Sequence, residues 1–318
     1  MGGSVFQGFL MKIMKATSKK KRLGREQKEF IFFICLIALP LAQFCIFYIG
    51  VNLNSILLTF RNYDYDTGYS FAGLSNIVRV VKNLFMDATL KYAVRNSLIT
   101  YAITLLIGTT LALIFSYFIY KKMPLANLYR VTLFLPSVLS SIVMVLLFKY
   151  FCEQAVPVVW KELTGKEIGG LLSNSNTAMP TLLFYLVWTG FGTQVLMYTG
   201  AMNNISESIV ESARLDGATP LREFVSITLP MIWSTFVTFI VVGIAGIFSN
   251  QLNLYSFYGT AADNSLYTIG YYLYRATQKG TLPEYSYLSA MGLIFTLIAM
   301  PLTFAVKCLL ERFGPTTE

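Results

Sequence analysis

Few side chains in this 318-residue chain are of kinds that do covalent chemistry. Histidine is absent, which removes the commonest general base and the commonest metal ligand together. Asp64 and Asp66 have the spacing of a carboxylate pair, but the Tyr-rich, turn-like stretch around them, NYDYDTGY, reads as an exposed loop. The four cysteines, Cys35, Cys45, Cys152 and Cys308, form no CxxC pair and lie in or near apolar runs, where packing is the expected role. Gly165 and Lys166 are followed by Glu167 and lack the upstream glycine of a phosphate-cradling GxxxxGK[ST] loop. Catalysis, a metal and a bound cofactor are therefore not expected on this chain.

A different chemistry, that of docking, is offered by ESARLDGATPLREFVSITLP, Glu211 to Pro230, a polar stretch between two long apolar runs. Ser206 or Ser208 can cap a short helix, with Ser208 and Glu211 spaced as a capping box, and Gly217 supplies the permissive backbone for its exit. Thr219 and Pro220 then read as the N-cap and first position of a second helix, and Pro230 marks entry to the next apolar run. Ile209, Val210, Ala213 and Leu215 give the first helix an apolar part among its charges. A helix that presents both to water suits contact with a soluble partner.

The elements that must hold this stretch are membrane helices. Hydrophobic residues make up 55% of the chain and charged ones 13%, and the mean hydropathy is +0.58. Runs of about 20 apolar residues are long enough to cross the hydrocarbon core as helices. Six such spans are predicted, at 30–51, 93–117, 131–151, 181–202, 231–250 and 288–309. They lack the polar alternation of barrel strands, so the expected fold class is all-α, a polytopic membrane protein. The first run is too long for a cleavable leader and is expected to stay as an anchor.

Lys12, Lys15, Lys19, Lys20, Lys21, Arg22, Arg25 and Lys28 precede the first span and place that end in the cytoplasm. With six spans both termini are cytoplasmic, and so is the polar stretch between the fourth and fifth. The net charge of +9 is then a topology signal and not a nucleic-acid footprint. Residues 1–29 form a basic tail in which VFQGFLMKIMK suits either an amphipathic helix along the membrane surface or a disordered segment, and 30–318 one transmembrane domain with its polar loop at about 203–230. Segments 61–92 and 153–180 are outer connections, and 251–287 is expected to be partly re-entrant.

Glu211, Ser212, Ala213, then Gly217, then Ile227, Thr228, Leu229 and Pro230 resemble, in order and spacing, the EAA loop of permease subunits of type I ATP-binding-cassette (ABC) importers. Ser212 stands where that motif usually has alanine. WTGFGTQVLMYTGAMNNISESIVESARLDGA, from Trp188, and NSLYTIGYYLY, from Asn264, are similar to the carbohydrate-uptake branch, the maltose-type permeases. The resemblance implies that the loop is a coupling helix seated on a cytoplasmic ATPase dimer, with Glu211, Ser212, Ala213, Asp216 and Gly217 as the coupling residues. It further implies a second homologous permease, an extracytoplasmic solute-binding protein, and ATP with Mg used by the partner ATPase alone.

No Lys, Arg, Asp or Glu lies in 181–202 or 231–250, so a charged cargo would find no counter-charge there. A sugar asks for amides, hydroxyls and aromatic faces. Asn250, Gln194, Trp188 and Tyr255 offer these, and Tyr185, Tyr198, Gln251 and Asn253 lie nearby. By resemblance Gly190 belongs to the pathway, and the sugar-contacting amide of the maltose-type permease falls on Asn250; neighbouring polar positions there correspond to Gly243 and Ile247 here. The expected function is half of a translocation pathway for a sugar or oligosaccharide. The same loop would serve an importer of peptides or amino acids, and a membrane-embedded enzyme or assembly factor is the remaining class.

Overall fold

The computed structural model describes residues 24–315. The VFQGFLMKIMK segment, expected as a surface helix or disordered, lies outside them. Along the chain the elements are α1 (Arg25–Thr59), the strands β1 (Arg61–Asp64) and β2 (Gly68–Phe71), α2 (Ser75–Met86), α3 (Ala88–Tyr120), α4 (Ala126–Val138), α5 (Ser141–Thr164) and α6 (Ser175–Met202). There follow α7 (Glu207–Leu215), α8 (Pro220–Met231), α9 (Trp233–Ala245), α10 (Leu254–Tyr258), α11 (Ile269–Lys279) and α12 (Leu282–Phe313). The chain forms two compact units, one ending at Leu57 and one from Leu58 onward. The first is the greater part of α1, one continuous apolar helix.

Among the described residues four helices are long and apolar enough to span a membrane, α1, α3, α5 and α12; the bent pair α8 and α9 makes a fifth if counted as one. The predicted spans 30–51, 93–117 and 288–309 lie within α1, α3 and α12, and the other three fall on helices that differ in detail. The predicted span 131–151 is two helices, because the backbone leaves helical geometry at Leu139 and restarts after Ser140. The predicted span 231–250 is helical only over Trp233–Ala245 and closes in turns through Gly246. The predicted span 181–202 lies within α6, whose 28 residues are long enough, but whose Thr, Gly, Asn and Gln residues dilute its apolarity. Those residues are affordable because α6 is the most enclosed helix of the second unit, packed along α3 and α4.

Among the described residues one sheet departs from the all-helical expectation, an antiparallel hairpin pairing Arg61 with Phe71 and Asp64 with Gly68. Asp64 accepts the backbone N–H of Asp66 at 2.8 Å, so the apparent carboxylate pair is a turn in which one acid holds the other's amide. The expected outer connection 153–180 is mostly helix, since α5 runs on to Thr164 before ending at a left-handed Gly165 and α6 begins at Ser175. The expected partly re-entrant segment is built of α10, a 3-10 turn at Asn264–Leu266, α11 and the start of α12.

The core of the second unit includes two large clusters beside a smaller one at Ile240, Ile244 and Ile247. Around Leu90, Tyr185, Leu254, Tyr267, Tyr271 and Met291 it joins α3, α6, α10, α11 and α12. Around Ala112, Phe191, Tyr198, Met202, Val210 and Ile232 it joins α3, α6 and the polar loop. The loop is thus built into a core rather than hung from it.

Candidate functional site

Between α6 and α9 the chain makes the two short helices expected, with one local difference. Ser206 holds the N-cap backbone geometry of α7, but its Oγ pairs with the Ser208 hydroxyl at 2.8 Å instead of a backbone amide. The Ser208–Glu211 capping box is therefore not formed, because α7 already begins at Glu207 and places Ser208 inside the helix. At the other end Ala218 N–H donates to Ala213 C=O and Gly217 N–H to Arg214 C=O, both at 3.0 Å, the paired bonds of a Schellman exit. Gly217 sits at φ +77°, where a side chain costs about 1 kcal/mol or more. Thr219 Oγ1 accepts the Arg222 N–H at 3.4 Å, with Pro220 in the first helical position.

Two opposite faces result. Val210 and Ala213 are buried, Val210 in a cluster with Met202, Ile205 and Ile232, and withdrawing a Val side chain from water is worth about 1.5–3 kcal/mol. Leu215 and Leu221, on either side of the Gly217 turn, are 89% and 75% exposed. Glu211, Ser212 and Asp216 are also exposed, and Glu211 makes no hydrogen bond or ion pair with the described residues. A protruding apolar knob ringed by charges is a surface shaped to be covered.

The loop is tied to the helices beneath it. Tyr117 on α3 donates its hydroxyl to Pro220 C=O at 2.9 Å, and its ring lies 4.9 Å from that of Phe224. Glu223 is buried and ion-paired with Lys121, while Arg214 Nε stands 4.0 Å from its other oxygen. At Ile232 the chain bends by 70° from α8 into α9, and Trp233 Nε1 donates to Leu310 C=O at 3.0 Å, fastening the start of α9 to the end of α12. Glu223 and Lys121 escaped the sequence reading; a Lys directly after an apolar helix was the one available sign.

The pathway candidates lie apart from this loop. Trp188 packs among Phe148, Phe184 and Tyr185 on α6, and Gly190, one residue beyond Thr189, is exposed with open space over it. Gln194 points a buried Oε1 that has no partner, one turn from the equally unpartnered Tyr198 hydroxyl. On α9 a side chain at Gly243 would meet the Tyr101 ring at 2.9 Å. Asn250 follows the helix end; its Oδ1 accepts Leu252 N–H at 2.8 Å and its C=O accepts the Thr268 hydroxyl at 2.7 Å. Leu252 and Asn253 both take left-handed backbone geometry, φ 52°, so the Asn250 side chain steadies a strained reversal.

Beyond that reversal Gly270 lets α11 touch the chain, since a Cβ there would fall 2.5 Å from Ser249 C=O. Tyr255 is half-exposed with its ring 5.0 Å from that of Tyr274. An open groove of about 740 Å³ runs beside it, lined by Ser249, Gln251, Tyr274, Gln278, Thr296 and Phe295. The structure therefore gathers Asn250, Gln251 and Tyr255 into one region at the end of α9, with Trp188, Gly190 and Gln194 on α6. Among the described residues no group of three or more His, Cys, Asp or Glu residues could hold a metal.

Residues 104–318 match the model of the family described as binding-protein-dependent transport system inner membrane component. The chain belongs to that family. Members are permease subunits of importers, integral to the membrane and not themselves enzymes, and the EAA spacing of the loop accords with membership. The chain is 28% identical over 86% of its length to the diacetylchitobiose uptake system permease protein NgcF of Streptomyces coelicolor, covering 80% of that protein. It is 26% identical over 82% of its length to the multiple sugar-binding transport system permease protein MsmF of Streptococcus mutans, covering 89% of it. Its fold matches a chain of a bacterial ABC transporter involved in the import of the acidic polysaccharide alginate, with TM-score 0.74 at 20% identity over 92% of this chain and 99% of that one.

Proposed function

We propose that this permease forms one half of the translocation pathway of an ABC importer for a sugar or oligosaccharide. Its polar loop faces the cytoplasm, where the Leu215–Leu221 knob seats on an ATPase dimer that binds ATP and Mg. A second homologous permease supplies the other half, and an extracytoplasmic solute-binding protein delivers the cargo. The observation that carries the reading is the exposed apolar knob of the EAA loop, joined through Tyr117 and Glu223 to a membrane helix. Support for a sugar comes from the uptake systems named for the relatives and from the uncharged stretches 181–202 and 231–250.

In this reading Glu211, Ser212, Ala213, Asp216 and Gly217 make or shape the ATPase contact. Asn250, Gln194, Trp188, Gly190, Gly243 and Tyr255 line or bound the pathway, where the free Gln194 oxygen offers a hydrogen-bond acceptor. Both termini lie in the cytoplasm, with residues 1–29 as a basic tail and 30–318 as the permease domain. Closure of the ATPases moves the loop, and an inward-facing cavity becomes outward-facing. The test is ATPase activity of the reconstituted complex, with its binding protein, across a panel of mono- and oligosaccharides, peptides and amino acids. Stimulation by one glycan class is expected; stimulation by amino acids or peptides alone would discard the sugar.

A further inference from the structure

Among the described residues Glu223 is the one carboxylate buried in the loop, and it is placed among cations from outside α8. Lys121, the residue after α3, pairs with Oε1, and the two side chains are 12% and 3% exposed. Arg214 of α7 approaches Oε2 from the water side, itself 61% exposed. One turn back along α3, Tyr117 holds the first residue of α8 by its carbonyl and packs its ring, tilted by 57°, against that of Phe224. The first turn of α8 and the end of α3 thus share a buried ion pair, a hydrogen bond and a ring contact. Toward α9, by contrast, the connection passes through a 70° bend at Ile232.

We propose that the Lys121–Glu223 pair is the joint through which displacement of the loop is passed into α3, separately from its covalent path into α9. This rests on the importer reading. Breaking a buried pair by removing one partner is costly, because the other charge stays out of water; removing both charges together is far cheaper. The fold therefore resists sliding of α8 over the end of α3, and a push on the knob carries both. Glu223 and Lys121 touch neither cargo nor nucleotide and are positioning residues.

The test uses the whole importer in proteoliposomes, with the four cysteines replaced by alanine and spin-label pairs at Leu106 and Ile298 or at Val242 and Ile298. These three positions are exposed on α3, α9 and α12. Trapping with ATP and vanadate is expected to change both distances in the unsubstituted complex. With Lys121→Met and Glu223→Leu together, chosen over Glu223→Gln because no charge is left buried alone, the Val242–Ile298 change persists and the Leu106–Ile298 change is lost. Survival of the Leu106–Ile298 change would overturn the joint, and so would loss of both changes together, which would make the pair a requirement for docking. No change at either pair in the unsubstituted complex would overturn the importer reading itself, and this inference with it.

Discussion

Asn96 on α3 donates its side-chain amide to two carbonyls of one distant loop, Ser265 C=O at 2.7 Å and Tyr267 C=O at 2.9 Å. The neighbouring Ser97 hydroxyl accepts Ile269 N–H at 3.0 Å, and Asp263 starts the same loop, its carboxyl held below its ordinary value by hydrogen bonds from the Ser265 hydroxyl and N–H. Asn96→Leu keeps the bulk and strands both carbonyls, at about 1–3 kcal/mol for each left unsatisfied. The purified complex should melt several degrees lower in a thermal denaturation series. An unchanged midpoint would mean that water replaces the amide.

Gly217 is bare of neighbours, so its requirement is one of backbone angle and not of space. Gly217→Ala should strain the exit of α7 by about 1 kcal/mol and reduce transport moderately, while Gly217→Val, β-branched at positive φ, should reduce it far more. Uptake assays on the two variants check the order. Equal activity would show that the turn relaxes to another geometry.

Leu215→Asp places a charge on the knob without touching the core. Co-purification of the ATPase should fall at least tenfold while the partner permease stays bound, as read from subunit ratios after affinity capture. Retention of the ATPase would place its contact elsewhere on the loop.

Asn250 combines a structural bond with a proposed cargo contact, and two variants separate them. Asn250→Asp keeps an acceptor for Leu252 N–H but loses the amide donor; Asn250→Ala loses both. The Asp variant should assemble and melt like the unsubstituted protein yet transport poorly, and the Ala variant should also lose about 1 kcal/mol of stability. Full uptake by the Asp variant would remove Asn250 from the cargo site.

How far the fold could be read follows from which signals are local. The predicted spans within α1, α3 and α12 were legible because long apolar runs have few alternatives in lipid. The break at Leu139–Ser140 and the early end of α9 at Ala245 were not, since surrounding helices can satisfy an interrupted backbone and hydropathy does not register this. In the loop, Gly217, Thr219 and Pro220 obey rules that operate within a few residues and were read correctly as turn and cap. Ser208 obeyed the same rule on paper, but the helix started two residues earlier, with Ser206 in the N-cap position. Lys121 and Glu223 meet across 102 residues, and no short-range pattern announces such a pair.

Asn96 and Lys121 lie 25 positions apart along α3 and just beyond it, which at 1.5 Å per residue is about 37 Å, more than the roughly 30 Å of hydrocarbon. In the proposed topology one rod therefore grips a loop at each face of the membrane, through an amide on one side and an ammonium on the other. A π-helical segment at Thr104–Thr109 interrupts it between the two grips. Communication between the faces need not relay through a chain of side chains; a tilt of this rod is felt at both ends at once.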